Sequence, residues 1–350
     1  MSIEFQVPVT QEILTKVSKL DRFRGQLSNL TAIPGERLDR IRQAATVQSV
    51  ASSCRLSGMH VSDSEVAAAL RDDSPLSEGE AIHGYAAGID FPFPGPERFV
   101  ERETVAALNQ AVLGRTDATE PGPWRQRELN REAFDAEGKA LGCVFPTLPP
   151  HLIEEKTEDL LTWLELELRS EERHPVLVIG TFLLAFLAIS PFELANGRTS
   201  RVLIRHLLLR AGYAHLPLAS IEVELEADRA AYLDALFKAR TGVWSGTAEL
   251  QPWIEFFLVI LDRHRERVET KLSLERGTLD FPPLQREILE KVREHGTVNA
   301  ALLLEATGAN RNTLKDNLKR LVDRGVLERT GQKRGTRYRL PVGDGQGTSA

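Results

Sequence analysis

Cysteine, methionine and tyrosine are scarce in this chain: of 350 residues two are Cys, two are Met and four are Tyr. Cys54 and Cys143 cannot build a disulfide framework and lack metal-ligand spacing, which argues against a stapled secreted scaffold or a zinc module. Such usage points to a reducing, cytoplasmic setting. Long apolar runs are also missing. The longest, Val176 to Ile189, is interrupted by Gly180 and Thr181, and it falls short of the roughly 18 residues a membrane span requires. It predicts a helix buried on all sides, and no membrane partner. The opening residues MSIEFQVPVT have neither a basic nor an apolar segment of the kind a signal peptide needs.

With 42% apolar and 27% charged residues, the composition is that of a soluble globular protein long enough for two or three domains. Charge is unevenly placed. Between Asn310 and Arg339 ten Lys or Arg face three acids, although the whole chain carries −6. A basic end on an acidic body suggests a C-terminal module that meets a polyanion.

Apolar spacing of three and four predicts a mainly α chain, with helices at 11–29, 36–56, 151–170, 175–189, 198–211, 228–240 and 252–271. Ser62 and Glu65 have capping-box spacing. Residues 90–97 and 117–123 are Pro- and Gly-rich breaks. Leu141–Pro150 is β-prone and closed by prolines, which predicts a hairpin or extended flap. His174, His206 and His215 show no ligand spacing and read as surface or satisfied histidines. Trp244, Trp253, Phe256 and Phe257 read as core.

Residues 284–341 fit a winged helix-turn-helix. Leu284, Ile288, Leu289 and Val292 line one helix. Asn299 caps a second, Gly308 closes the turn, and a third runs from Asn310 to about Asp323. Two short strands around 332–335 make the wing. Asn310, Arg311, Asn312, Lys315 and Lys319 on the third helix, with Arg334 and Arg337 in the wing, are the candidate DNA contacts.

The segment ISPFELANGRTSR, Ile189 to Arg201, resembles the signature loop of the Fic family, HPFx(D/E)GNGRxxR. The likeness extends over roughly residues 40–265, through Trp124-Arg125, Val144–Thr147, Leu207–Tyr213 and Ala219–Glu222. It is strongest to members whose Fic domain is followed by a winged helix. The resemblance implies a Fic-type helical core with a short β-hairpin flap, nucleotide binding, and transfer of AMP to protein hydroxyls. The implied domains are a helical region at 1–100, the Fic-like core at 101–272, a linker at 273–283, the winged helix at 284–341 and a disordered tail at 342–350.

Two chemical positions depart from the family loop. The base histidine is Ser190, whose hydroxyl is too weak a base near neutral pH. The metal-binding acid is Leu194, which has no oxygen to offer a hard cation, so magnesium is not expected to bind in the family manner. Glu193 is the one nearby carboxylate. The resemblance assigns Asn196, Gly197, Arg198 and Arg201 to phosphate, with ATP or another nucleotide as the candidate ligand. Ser53–Gly58 aligns with the family's inhibitory (S/T)xxxE(G/N) helix, but Ser57 replaces its glutamate. That substitution leaves Arg201 without its usual partner, and the sequence reading makes it available to an anion.

Three functions remain open at this point. One is a DNA-binding regulator with a pseudoenzyme Fic domain, dimeric if it reads two half-sites. Another is an adenylyltransferase-like enzyme with non-standard residues. The third is a scaffold that docks a protein at the flap, residues 142–150. The joint loss of base and metal ligand favours the first.

Overall fold

In the computed structural model, the described residues are 5–26, 33, 35–71, 79–114, 124–129, 131–134, 140–145, 148–239, 242–243, 247–279, 281–331 and 336–340. They form fourteen α-helices and five short strands. The chain divides into two compact units between Val268 and Glu269.

In the first unit, helices α1 (Gln11–Gln26), α2 (Gly35–Leu56), α3 (Asp63–Ala69), α4 (Gly79–Ile89) and α5 (Arg102–Val112) precede a hairpin of β1 (Arg131–Phe134) and β2 (Ala140–Phe145). The hairpin is antiparallel, pairing Arg131 with Phe145 and Phe134 with Ala140. Helices α6 (Ile153–Ser170), α7 (Pro175–Ile189), α8 (Asn196–Arg210), α9 (Ile221–Ala227) and α10 (Arg229–Ala239) follow, and α11 (Gln251–Leu279) begins in this unit and ends in the second. A single apolar core runs from Phe5 to Leu261. Residues 1–100 therefore share their core with the rest of the unit, because α1, α2 and α4 bury Ile13, Val50 and Tyr85 in it.

Helix α7 is the centre of that core. Thirteen of its fifteen residues are buried, as its predominantly apolar sequence requires of a helix with no polar face. Gly180 lends its carbonyl to the indole N–H of Trp253 at 2.7 Å, which ties α7 to α11. Trp253, Phe256 and Phe257 are core, as the sequence indicated. Trp244, like Arg334, Pro146, Thr147 and the tail after Leu340, lies outside the described residues. Ser62 caps α3 reciprocally with Glu65.

Two expectations change. The linker placed at 273–283 is helical through Leu279, because α11 continues well beyond 271. The chain leaves helical geometry only near the proline pair Pro282-Pro283, where a residue before proline is biased away from the α region. His215 is neither a surface residue nor a fully satisfied one. It is 2% exposed, it packs against Phe23, Tyr213 and His264, and its Nδ1 has no partner among the described residues.

The second unit contains α12 (Pro283–His295), β3 (Thr297–Val298), α13 (Ala300–Thr307), α14 (Arg311–Asp323), β4 (Glu328–Thr330) and β5 (Arg337–Arg339). The strands form an antiparallel sheet in the order β3-β5-β4. Ile288, Val292, Leu303, Leu314, Leu318 and Leu321 form a separate small core. Asn299 and Asn310 cap α13 and α14, and Gly308 takes φ 62° in the turn between them, a conformation that a Cβ would strain.

No helix among the described residues is long and apolar enough to cross a membrane.

Burial of His215, with His264 and Arg265 beside it, pushes its pKa down to about 3. Below about pH 6.5 the unfolded chain binds a proton at this residue that the folded chain refuses, so stability is complete above that pH and falls as the pH drops towards 3. Denaturant unfolding should therefore show a loss of about 2 kcal/mol between pH 7 and pH 5 from this residue. His215→Gln should flatten that slope relative to the parent chain.

Candidate functional site

The segment between α7 and α8 is held from several sides. α7 ends at Ser190, which sits in the left-handed region at φ 45°. Its backbone N–H donates to Phe186 O, and its hydroxyl donates to Leu187 O at 2.6 Å. Ser190 is 4% exposed, and its hydroxyl serves the helix end.

The buried guanidinium of Arg125 donates through Nε to Ser190 O and through its terminal nitrogens to Ile189, Leu148 and Arg127 carbonyls. The Arg125 N–H also donates to Pro191 O. Trp124 pairs with Phe192 through a β-bridge and stacks on its ring at 5.3 Å. One arginine thus fastens both the end of α7 and the chain just after the hairpin. Burial lowers its pKa, and the four carbonyls satisfy it in place of a carboxylate.

Asn196, 2% exposed, closes the loop on itself. Its Oδ1 accepts from Phe192 N–H at 2.9 Å, and its Nδ2 donates to Phe192 O at 2.6 Å. The amide expected to contact phosphate is thus engaged as a brace. Asn109 on α5 adds a second brace by donating to Leu194 O and Thr199 Oγ1. Ala195 is in the left-handed region at φ 60°, a conformation an alanine rarely adopts.

Glu193 accepts from the Gln126 N–H and lies 3.4 Å from Arg127. The backbone donor first, and then the arginine, hold its pKa below the usual carboxylate range. This makes it a weaker base, occupied with the preceding segment. Leu194 is 59% exposed and presents only carbon. Among the described residues there is no group of three His, Cys, Asp or Glu that could hold a metal.

The first turn of α8 has no side-chain cap, so the N–H groups of Asn196, Gly197 and Arg198 point away from the helix and favour an anion. Arg201 is not unpaired, contrary to expectation. Its Nε donates to Ser53 Oγ, and its NH2 donates to Ser53 O and to Ser57 Oγ, all within 3.0 Å. The end of α2 grips the guanidinium with a carbonyl and two hydroxyls, without a carboxylate. Those bonds leave NH1 directed at the helix start, where a Cβ on Gly197 would come within 3.3 Å of it. Among the described residues the Arg198 side chain makes one bond, of 3.3 Å, to Val112 O, and burial lowers its pKa.

Beneath the arginines, Tyr85 donates to Glu222 at 2.7 Å and Ser220 donates to the other carboxylate oxygen. Burial and the Glu222 charge raise the Tyr85 pKa well above its ordinary value. Residues 99–208 match the family model of the Fic/DOC family. They form a Fic domain.

The likeness extends beyond the Fic domain. The Fic protein adenylyltransferase of Culex quinquefasciatus is 26% identical over 258 residues, 71% of this chain and 46% of that protein. Its Aedes aegypti counterpart is 25% identical with the same coverage. The chain spans about half the length of these curated relatives. Among solved structures, a Fic family protein from Desulfovibrio desulfuricans G20 aligns over 98% of this chain and 99% of its own, with a TM-score of 0.59 and 21% identity. A Fic-domain signaling protein from Bacteroides thetaiotaomicron aligns over 75% of this chain and 97% of its own, with a TM-score of 0.60 and 20% identity. At these identities the structures establish the fold.

Against the Fic signature, Ser190, Glu193, Asn196, Gly197, Arg198 and Arg201 gather on one loop and helix start, and Ser53 and Ser57 meet Arg201 there. The sequence reading did not select Arg125, Asn109, Tyr85 or Glu222 as site residues. A polar or charged side chain within apolar helical spacing was the available signal for Asn109 and Glu222. Arg125 had none.

In the second unit, Asn310, Arg311, Asn312, Lys315, Lys319 and Arg337 are all exposed. The Asn310 side chain caps α14 by accepting from the Asn312 N–H.

Asn196→Ala should cost about 2–4 kcal/mol, since it leaves a buried N–H and a carbonyl of Phe192 unpaired. Denaturant unfolding would measure the loss, and hydrogen exchange at the Phe192 amide should accelerate.

Proposed function

We propose that this protein is a DNA-binding regulator whose Fic domain has exchanged AMP transfer for anion binding. One observation carries the reading. At the base position the Ser190 hydroxyl is bonded to Leu187 O, and at the metal position Leu194 projects an aliphatic side chain into solvent. A hydroxyl with a pKa far above neutrality and bound as a helix cap takes no proton from an attacking nucleophile. Glu193, the remaining carboxylate, is held ionised by Gln126 and Arg127. The loss of general-base catalysis alone would slow transfer by about 10²–10⁴.

What persists is electrostatic. The uncapped start of α8 and the NH1 of Arg201 face the same space, and Arg198 stands one turn away on the same helix. Phosphate fits that arrangement, because its oxygens match both backbone N–H groups and a guanidinium fork.

The DNA part of the reading rests on the second unit. Three helices with an antiparallel sheet fit a winged helix, with α14 as its recognition helix. Arg311, Lys315 and Lys319 are exposed on α14, and they make no ion pair among the described residues. Donors at the start of such a helix reach base edges, while lysines further along meet phosphates.

Two measurements test this. Incubation of the full chain with labelled ATP and candidate protein acceptors should transfer no AMP, and transfer by the unmodified chain would overturn the regulator reading. Retention of a random-sequence duplex pool at about 50 mM salt should weaken in Arg311→Ala/Lys315→Ala, and the salt slope should fall by about one for each phosphate contact removed. Unchanged retention would remove α14 from the interface.

A further inference from the structure

Two of the buried carboxylates of the first unit are held by arginine. Glu165 is 0% exposed and binds Arg210, and Glu224, 4% exposed, binds Arg267. Glu222 is as deeply buried, at 4%, yet it makes no ion pair among the described residues. Its oxygens accept from two hydroxyls instead, Tyr85 at 2.7 Å and Ser220 at 2.9 Å. Taking a carboxylate out of water is costly, and two neutral donors offset only part of that cost.

The opposite imbalance lies on α8. Arg198, Arg201 and Arg205 stand at i, i+3 and i+7, within about 60° of one another around the helix, and none makes an ion pair among the described residues. Burial lowers the pKa of Arg205, and the charge of Glu222 opposes that shift more than Tyr85 or the exposed Asp90 does. The Arg205 Nε is buried without a hydrogen-bond partner, so Glu222 attracts it through space. Arg201 is reached by a second route. The Tyr85 hydroxyl that donates to Glu222 also feels Arg201 and Ser53, and Ser53 Oγ accepts from Arg201 Nε at 3.0 Å. A guanidinium keeps its proton even where burial disfavours its charge. Glu222 is thus a buried anion without a contact cation, set among cations without a contact anion.

We propose that Glu222 is the internal counter-charge of the α8 arginines and that it limits how tightly the start of α8 holds an anion. The inference rests on the anion-binding reading of the loop and adds to it the residue that sets the affinity. A charge at this depth acts across a low-dielectric interior, where salt screens it little. Its field opposes that of the arginines at the helix start. It does so without occupying the Arg201 guanidinium, whose bonds run to Ser53 and Ser57. The site therefore keeps its geometry while its attraction for a negative ligand is reduced.

The test is calorimetric titration of the full chain with inorganic phosphate, in an Arg311→Ala/Lys315→Ala background that reduces the contribution of the basic second unit. Glu222→Gln keeps the size of the side chain and an acceptor for Tyr85 while it removes the charge. It should tighten phosphate about threefold to tenfold, the effect of deleting one like charge across a partly buried separation. Glu222→Asp, which keeps the charge, should bind as the parent does. A merely structural role would weaken phosphate in both variants, and that result overturns the proposal. A double-mutant cycle of Glu222→Gln with Arg205→Gln, read from urea unfolding, needs no ligand. A counter-charge requires the double variant to lose less stability than the two single variants together, and additivity overturns it. If the parent binds phosphate and Glu222→Gln binds it no tighter, the anion site stands and the role of Glu222 falls. Absence of binding by parent and variants alike at millimolar concentration overturns the anion reading and the affinity-setting role with it.

Discussion

The burial of α7 on nearly every side fixes everything that follows from it. A helix with apolar residues on every side has no solvent face along which to slide or fray, so its last residue is set by the walls around it. Ser190 must then turn the chain in the left-handed region, and Pro191 and Phe192 must leave along the line that Trp124 and Arg125 provide. The buried guanidinium of Arg125 secures this corner, because four carbonyls from three segments converge on it. Losing any one of them would leave a buried charge under-satisfied, a heavier penalty than the loss of an ordinary hydrogen bond.

The second consequence lies at the start of α8. Once Asn196 binds both backbone groups of Phe192, the first turn of the helix has no side chain of its own for a cap. Its N–H groups are directed outwards, and Arg201 is swung beside them by the end of α2. The same bonds that hold Arg201 through Nε and NH2 decide where NH1 goes. Ser53 and Ser57 thus orient the arginine without neutralising it, whereas a carboxylate in their place would do both.

Much of this could be read from the sequence. The helix at 175–189 follows from an apolar run too short to span a membrane, the cap at Ser62 from its spacing to Glu65, and the C-terminal helices from Asn299, Gly308 and Asn310. The loop's identity followed from its Asn-Gly-Arg core and flanking residues. The partners of its side chains did not. Arg201 meets Ser53 across 148 residues of sequence, and Arg125 reaches Ser190 across 65. Local pattern carries no information about such pairings, and for that reason Arg201 was read as unpaired. The continuation of α11 beyond 271 was missed for a different cause. Lys271–Leu279 mixes good helix formers with Gly277, and its composition resembles a linker as much as a helix.

The loop's architecture and its chemistry depend on different atoms. The braces are backbone groups of Ser190, Pro191, Phe192 and Leu194, with the side chains of Asn196, Asn109 and Arg125. Ser190 and Leu194, two of the positions that differ from the Fic signature, enter these braces through their main-chain atoms. Ser190 accepts from Arg125 and Leu194 accepts from Asn109 through their carbonyls, which any residue would supply. Apart from the bond of the Ser190 hydroxyl to Leu187 O, side chains at both positions could therefore change without loosening the loop or moving the start of α8. A catalytic base and a metal ligand can be lost from such a loop one at a time, and the geometry that favours an anion survives both losses.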